Sequence, residues 1–403
     1  MRFALLNSRK PRRVSPLDRW VRLTAAAARR IGDGGHTLVA GLGPLTHDFG
    51  LFCALDAGGA AEIVLDATTQ GPRGSALRTH RAEFLGHRRA RARWPTGRLA
   101  AEERDLAVCD AADVVVVIEA RADGIMERLG RMRLRQRRPL LVCPPDGSPA
   151  TAGNARLAAA GATTFDWGGN HESCRPDGGG APEGAGARFP AGLPPCAADW
   201  LYVVHFTRTC PLEFPGESRW EFARTLAASR DPLFHRGLRV LERILDERVI
   251  RASGRLIRGG RPVVSFTAAA PADVAALARW ARHLGRWTFE PYGVGLRREA
   301  AERRGLLPVL YGPAERYAAI TPQERWRYQA AATGGVDWTA EREWRARGDV
   351  ELGSWAGDEG IVVVADQEEA RRIRSRSPFR IHVLGGDERS HAASAGLPVA
   401  AGG

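Results

Sequence analysis

Residues 113–120 read Asp113-Val-Val-Val-Val-Ile-Glu-Ala120. Five apolar, β-prone residues in succession between two acids have the length of one strand. The run is continuous rather than alternating, which marks a strand covered on both faces. Such strands belong to parallel sheets sandwiched between helices. Working outward, helical periodicity precedes this strand over residues 101–112 and follows it over 125–135. A strand over 139–142, a helix over 154–160 and a short strand near Thr163 come next. Toward the N-terminus lie a strand at 3–6, a helix at 18–31 stopped by Gly32-Asp-Gly-Gly35, a strand at 37–40, a helix at 49–57 and a strand at 62–65. This alternation predicts an α/β, Rossmann-like parallel-sheet domain over residues 1–166.

The chain has 403 residues, a formal net charge of +13 and an ordinary apolar fraction of 44%. Its length allows two or three domains with cores of their own. Its apolar runs are too short to span a membrane, and the apolar start Met1–Asn7 precedes the basic stretch at 9–13, the reverse of a signal peptide. A cytoplasmic location is expected. The positive charge points to an acidic partner, either nucleic acid or a phosphorylated small molecule. Lys10 is the one lysine, an arginine bias that GC-rich codon usage also produces. Cations are densest at 9–13 and at 73–104, where Arg88, Arg89, Arg91 and Arg93 stand near His80 and His87. An arginine cluster in a loop can hold phosphates through bidentate contacts.

There are six cysteines and no C-x-x-C pair. Cys53, Cys109 and Cys143 have apolar neighbours and read as small core residues. The set His171, Cys174, Cys196 and His205 is too loosely spaced for a zinc site, so no metal is expected. Residues 167–195 are rich in Gly and Pro and read as a flexible linker. A second, α+β domain is predicted over 196–390, with strands at 201–207, 263–267, 292–296, 307–311, 341–345, 361–365 and 379–384 and an amphipathic helix at 234–247. Residues 391–403 read as a disordered tail.

In parallel sheets, ligands sit at the carboxyl ends of strands, where Gly-rich turns and helix N-termini present backbone amides to anions. Three such turns occur here: Asn7-Ser8-Arg9, Gly41 to His47 (with Gly43 and Thr46), and Glu119 to Gly124. Their order resembles the Rossmann-like domain of the DprA (Smf) family and the wider LOG-like group. Ser8-Arg9 matches that family's pair after the first strand. Thr37-Leu-Val-Ala-Gly-Leu-Gly43 and Ala54-Leu-Asp-Ala-Gly-Gly59 match its second strand and following helix end. The 113–120 strand and the helix beginning Gly153-Asn154 match its later elements. The resemblance implies nucleotide or nucleic-acid phosphate binding through Ser8, Arg9, Gly41, Gly43, Thr46, Glu119 and Gly124. The family's G-x-A-x-G-I-D loop is replaced by Gly43 to Asp48, and its asparagine-rich loop by the arginine cluster. The phosphoribohydrolase motif of the LOG group is missing.

The second half is similar to AbiGi and DarT-like defence proteins with ADP-ribosyltransferase-like domains. The motifs are His205-Phe206-Thr207, the glycines from 254 to 260, Ser265-Phe266-Thr267, Tyr292-Gly293-Val294-Gly295, 308–311 and Glu341 to Arg345. The resemblance implies NAD as cofactor. Glu343 would stabilise the oxocarbenium charge, with Glu341 and His205 as further catalytic residues. Thr207, Thr267, Arg255, Arg258 and Tyr292 would bind the dinucleotide, the tyrosine by stacking on nicotinamide. Taken singly, Glu343 and Arg345 alternate along a strand and also read as residues of a solvated face that pair with Arg342 or a neighbour.

Together these readings predict a two-domain cytoplasmic defence or stress protein. Its sensor would bind a nucleotide or single-stranded nucleic acid, its effector would use NAD, and it could form homo-oligomers. The alternative is a non-enzymatic DNA-binding protein with a C-terminal interaction module.

Overall fold

In the computed structural model, residues 1–8, 14–66, 71–93, 101–167, 187–193, 200–210, 212–231, 234–254, 257–281, 286–333 and 336–385 are described. Arg9, Arg255, His171, Cys174, Cys196 and the 391–403 tail lie outside these. The chain divides into two units: Met1–Glu183 with Glu217–Phe234, and Gly184–Gly216 with His235–Gly403.

The first unit is a seven-stranded sheet whose neighbouring strands all run parallel. Its strands are β1 (Arg2–Asn7), β2 (Thr37–Gly41), β3 (Ala60–Val64), β4 (Ala90–Arg93), β5 (Val114–Glu119), β6 (Leu140–Val142) and β7 (Thr163–Thr164), in the order β4-β3-β2-β1-β5-β6-β7. The decisive valine run is β5, and all six of its residues are buried. Helices α1 (Arg19–Asp33), α2 (Leu45–Asp56), α3 (Gly71–His80), α4 (Ala82–Gly86), α5 (Ala101–Ala111), α6 (Ile125–Arg135) and α7 (Ala152–Ala159) connect the strands. The α/β expectation therefore holds, and the sheet order reverses between β2-β1 and β1-β5.

The close packing of α1 on α2 explains part of the glycine pattern. A Cβ on Gly59 would lie 2.7 Å from the Gly32 Cα and 2.9 Å from the Ala54 carbonyl. The end of α2 can fold back against α1 only without side chains there. Trp20 and Phe49, both fully buried, meet edge to face at 6.0 Å in the same layer, and each contributes about 1.5–3 kcal/mol by burial.

Four elements of this unit were not anticipated: helices α3 and α4, strand β4 and a further helix, α8 (Arg219–Ala228). Strand β4 reads Ala-Arg-Ala-Arg, so the arginine cluster expected in a loop lies partly on an edge strand. Helix α8 falls within the stretch assigned to the second domain, yet it clusters with the first unit. Ser218 caps it by accepting from the Glu221 amide at 3.2 Å, while the Glu221 carboxylate accepts from the Ser218 amide at 2.9 Å. This reciprocal capping box, S-x-x-E, is a sequence signal in its own right. Trp220 packs against Phe52 at 4.9 Å, Phe84 at 5.1 Å and His87 at 5.7 Å.

The second unit holds a mixed seven-stranded sheet. Its strands are β8 (Tyr202–Phe206), β9 (Val263–Thr267), β10 (Gly293–Arg297), β11 (Leu307–Pro308), β12 (Glu343–Arg347), β13 (Gly360–Val364) and β14 (Arg380–Val383). They lie in the order β11-β12-β9-β8-β10-β13-β14, antiparallel except for the β13–β14 pair. Helices α9 (Gly237–Glu247), α10 (Pro271–Leu277), α11 (Arg298–Arg303) and α12 (Gln367–Ile373) accompany it. One face carries the larger core, built on Val203, Leu241, Phe266, Val294 and Val362. The other carries a smaller core around Val204, Phe206, Ile361 and Val363. Part of the expected linker joins in: Ala187 packs on the larger core and Phe189 and Leu193 on the smaller. The remainder of that linker, 168–186 and 194–195, lies outside the described residues.

Candidate functional site

The carboxyl ends of β1 and β5 meet at the reversal of strand order, where sheets of this class open a crevice. Here the crevice is laced by its own side chains. The Ser8 hydroxyl donates to the Glu119 carbonyl at 3.1 Å and accepts from the Arg121 amide at 3.0 Å. Glu119 is buried and faces the buried Arg19, with Oε1 3.9 Å from Nη1. The Arg19 Nε is 3.4 Å from Asp146, and its Nη2 donates to the Pro144 carbonyl. Asn154, fully buried, accepts from the Ala120 amide at 2.7 Å and donates to the Ile118 and Cys143 carbonyls at 3.0 Å each. A Cβ on the preceding Gly153 would lie 2.7 Å from the Ala120 carbonyl oxygen. The Gly-Asn pair at the start of α7 thus clamps the ends of β5 and β6. Gly124 precedes α6 as its N-cap.

The glycine turn after β2 is also internally occupied. The Gly41 amide donates to His47 Nδ1 and the Gly43 amide to Asp48 Oδ1, both at 2.9 Å. Thr46 is buried in the first turn of α2. Around this turn lies a buried charge network. Arg81 donates to Asp48 at 2.8 Å, and Arg219 Nε stands 3.4 Å from the same oxygen. Arg104 donates to Asp66 at 2.9 Å and to Asp105 at 2.8 Å. Burial holds His47 below the usual histidine range, against the opposing pull of Asp105. The amides read as phosphate donors therefore have intramolecular acceptors, and three arginines there are matched by three aspartates. Asp48, Asp66, Arg81, Arg104 and Arg219 escaped the sequence reading because no local pattern marks a network assembled from five separate segments.

At the opposite end of the sheet a groove of about 570 Å³ is lined by Arg2, Arg88, Arg89, Arg91 and Arg93, with Glu62 as its single acid. Its floor is formed by Thr37, Ala60 and Ala61, at the amino ends of β2 and β3. Arg93 pairs with Glu62 at 3.0 Å and Arg2 with Asp113 at 3.2 Å. Arg89 donates to the Gly58 carbonyl. Arg88 and Arg91 have no hydrogen-bond or ion-pair partner among the described residues. The cluster is thus concentrated on the edge strand β4 and the turn before it, backed by His87 and Trp220.

In the second unit, Thr267 brings the two glutamates together: its hydroxyl donates to the Glu341 carbonyl, and it pairs with Glu343 in the β9–β12 ladder. Glu343 is committed to Arg345, which is 2% exposed and donates to it from Nε at 2.8 Å and Nη2 at 3.0 Å. Arg345 also donates to the Trp326 carbonyl at 3.0 Å and Gln329 Oε1 at 3.0 Å. Glu341 is half-buried, and no described residue hydrogen-bonds its carboxylate. Burial and then the charge of Glu343 raise its pKa, opposed by Arg208, Arg279 and Arg345. The Tyr311 hydroxyl accepts from the Glu343 amide at 2.9 Å.

The remaining described residues assigned to NAD have other partners. His205 Nδ1 lies 2.8 Å from the Ser265 carbonyl, and burial pushes its pKa down to about 4. The Thr207 hydroxyl donates to the Gly237 carbonyl at 2.8 Å. The Tyr292 hydroxyl donates to Glu369 at 2.7 Å, and its ring is 3% exposed, which leaves no face for stacking on nicotinamide. Arg258 lies over Tyr317 at 4.2 Å and donates to the Ala314 carbonyl at 2.7 Å. These side chains do not form an open cradle for a dinucleotide. Glu290, which the sequence reading passed over, is fully buried and accepts from the Thr209 amide at 2.7 Å and the Gly237 amide at 3.1 Å. It caps α9 from a distant loop. Among the described residues no cluster of His, Cys, Asp and Glu is arranged to hold a metal, and no helix is long and apolar enough to cross a membrane.

No family model matches the chain, and no curated protein matches it. Among solved structures, it is similar to DNA processing protein A from Streptococcus pneumoniae, at 16% identity over 41% of this chain and 58% of that chain, with a TM-score of 0.33. It is also similar to DNA processing protein A from Helicobacter pylori, a single-stranded DNA-binding protein, at 18% identity over 41% of this chain and 76% of that chain, TM-score 0.33. The molybdenum cofactor carrier protein of Chlamydomonas reinhardtii matches at 12% identity over 42% of this chain and 91% of that chain, TM-score 0.28.

Proposed function

We propose that the first unit binds the phosphate backbone of single-stranded nucleic acid in the arginine-lined groove beside β4. The observation that carries this reading is the groove's composition: five arginines against one glutamate, with Arg88 and Arg91 left without ion-pair partners among the described residues. Guanidinium forks suit phosphate oxygens, and an open groove on an edge strand accepts a chain rather than a single small anion. The buried network at the opposite end of the sheet is already charge-balanced and supports anion binding less well. Fluorescence anisotropy with labelled oligodeoxythymidylate tests the reading. Arg88→Ser with Arg91→Ser is expected to weaken binding and to reduce the log–log salt slope by about 0.7 for each arginine lost. Unchanged affinity and slope in this double variant, which alters only exposed side chains, would refute it.

A second reading keeps NAD as a substrate of the second unit. What favours it is Glu341, a half-buried carboxylate with a raised pKa beside a second glutamate, since two carboxylates in unlike environments suit glycosidic-bond chemistry. NAD turnover by the full chain, lost in Glu341→Gln, would support this reading. A wild-type protein without turnover removes it.

A further inference from the structure

We propose that His87, backed by Trp220, is a stacking platform for an unpaired base of the strand held in the arginine-lined groove. The platform rests on the groove's role as a phosphate track and adds a contact of a different kind. Arginines alone bind a polyphosphate according to its charge. An aromatic surface meets only bases whose faces are uncovered, which a duplex does not offer along its length.

The platform is built from rings of the first unit. Phe52 of α2 and Phe84 of α4, both buried, meet the Trp220 ring edge to face at 4.9 and 5.1 Å, with interplanar angles of 76° and 64°. His87 meets it nearly parallel, at 22° and 5.7 Å, the geometry of an offset stack. Two core rings thus fix the indole, and the indole fixes the imidazole. Trp220 is the one ring that His87 meets among the described residues, and His87 remains half-exposed. With one face on the indole, the imidazole owes its exposure to its far face and edge.

The turn that carries His87 orients it further. The Ala90 amide donates to the His87 carbonyl at 2.8 Å, and the Arg89 amide to His87 Nδ1 at 3.3 Å. The second bond leaves the ring proton on Nε2. Burial, then the charges of Arg88 and Arg89, hold its pKa below the ordinary 6.5, so the imidazole is neutral at pH 7 and can stack without adding charge. Arg89 is tied to the Gly58 carbonyl, whereas Arg88 lines the groove, exposed and without an ion-pair partner among the described residues. Consecutive Cα atoms lie about 3.8 Å apart. A phosphate held by Arg88 therefore delivers the base of its own nucleotide to residue 87.

The test compares two labelled oligomers of equal length and charge on the full chain by anisotropy: oligodeoxythymidylate and its abasic tetrahydrofuran counterpart. The wild type is expected to bind the thymidylate about tenfold more tightly. His87→Ala should lose that preference, keep its affinity for the abasic oligomer, and keep the salt slope, because a neutral ring releases no counterions. His87→Phe should restore the preference, and a duplex of the same length should respond to neither substitution. Intact abasic binding shows in each variant that the fold and the phosphate track survive. Equal wild-type affinity for the two oligomers, or a His87→Ala protein that keeps the preference, overturns the platform and leaves the phosphate track standing. Equal loss of both oligomers in His87→Ala also overturns it, and assigns His87 to holding the turn. A wild type that binds neither oligomer overturns the track and the platform together.

Discussion

Replacing Glu343 with alanine takes both carboxylate oxygens away from Arg345, which holds them at 2.8 and 3.0 Å. The arginine is 2% exposed, and its other acceptors are the neutral Trp326 and Tyr328 carbonyls and Gln329 Oε1. Glu341 acts on it only at longer range. The cation would stay buried without its bonded counter-charge, and breaking one side of such a pair costs about 3–5 kcal/mol. With its side chain 14% exposed, Glu343 is slightly wet, so the lower end, about 3 kcal/mol, is expected. That is a large share of a typical domain stability of about 5–15 kcal/mol. Equilibrium urea unfolding of the full chain, followed by circular dichroism and tryptophan fluorescence, would show the second unit's transition shifting. The two units must be fitted separately, because two-state analysis fails for multidomain chains. The double variant Glu343→Leu, Arg345→Met should recover part of the loss, since it removes the stranded charge but leaves the carbonyls without their donor. A Glu343→Ala protein within about 0.5 kcal/mol of wild type would refute the structural assignment of this pair. If the shift is as large as expected, loss of NAD turnover in that variant would report unfolding, and Glu341→Gln becomes the informative substitution.

Three further outcomes are expected. Asn154→Ala leaves one buried amide and two buried carbonyls without the bonds they have now, and should cost about 3 kcal/mol in urea unfolding of the first unit; a shift below about 1 kcal/mol would contradict the clamp. Trp220→Ala should destabilise the same unit by about 2 kcal/mol, less than a fully buried tryptophan because the residue is half-buried, and hydrogen exchange should report fraying of α8 before the sheet. Burial depresses His205 and His235 to about 4 in the folded chain. Below about pH 6.5 the unfolded chain takes up protons that the folded one refuses, so stability is full above that value and falls as pH drops toward 4. The loss at pH 5.5 should be about 1.4 kcal/mol per histidine, and a stability flat between pH 7 and 5.5 in a His205→Gln comparison would rule out this assignment.

Much of the first unit was legible along the chain. The valine run became a strand buried on both faces because six residues in a row admit no water on either side. Gly32 was legible as a helix stop and Gly59 as part of a helix-end motif, but that the two pack against each other is seen only in the fold. Strand β4 was not legible, because an exposed edge strand of alternating alanine and arginine has no apolar signal to set against a loop. Helix α8 carried a readable capping box, but nothing local assigns it to the first unit. Trp220 meeting Phe52, Phe84 and His87, and Arg219 meeting Asp48, do so in the folded structure.

The candidate sites divide in the same way. Residue type placed Ser8, Gly41 and Gly43 at the ends of strands, and periodicity put them on the right turns. Whether their amides face a ligand or a neighbour depends on His47, Asp48 and Glu119, which arrive through tertiary packing. The alternation of Glu343 and Arg345 was visible, but it suggested pairing with Arg342 or a neighbour on a solvated face, whereas the two pair with each other and Arg345 is buried. The burial that ties one to the other, and leaves Glu341 with its carboxylate unbonded among the described residues, is a property of the folded sheet. Strand and helix periodicity records which side of each segment avoids water, and that is local information. Which charges meet across segments far apart in the chain depends on the assembled packing, which no short stretch of sequence contains.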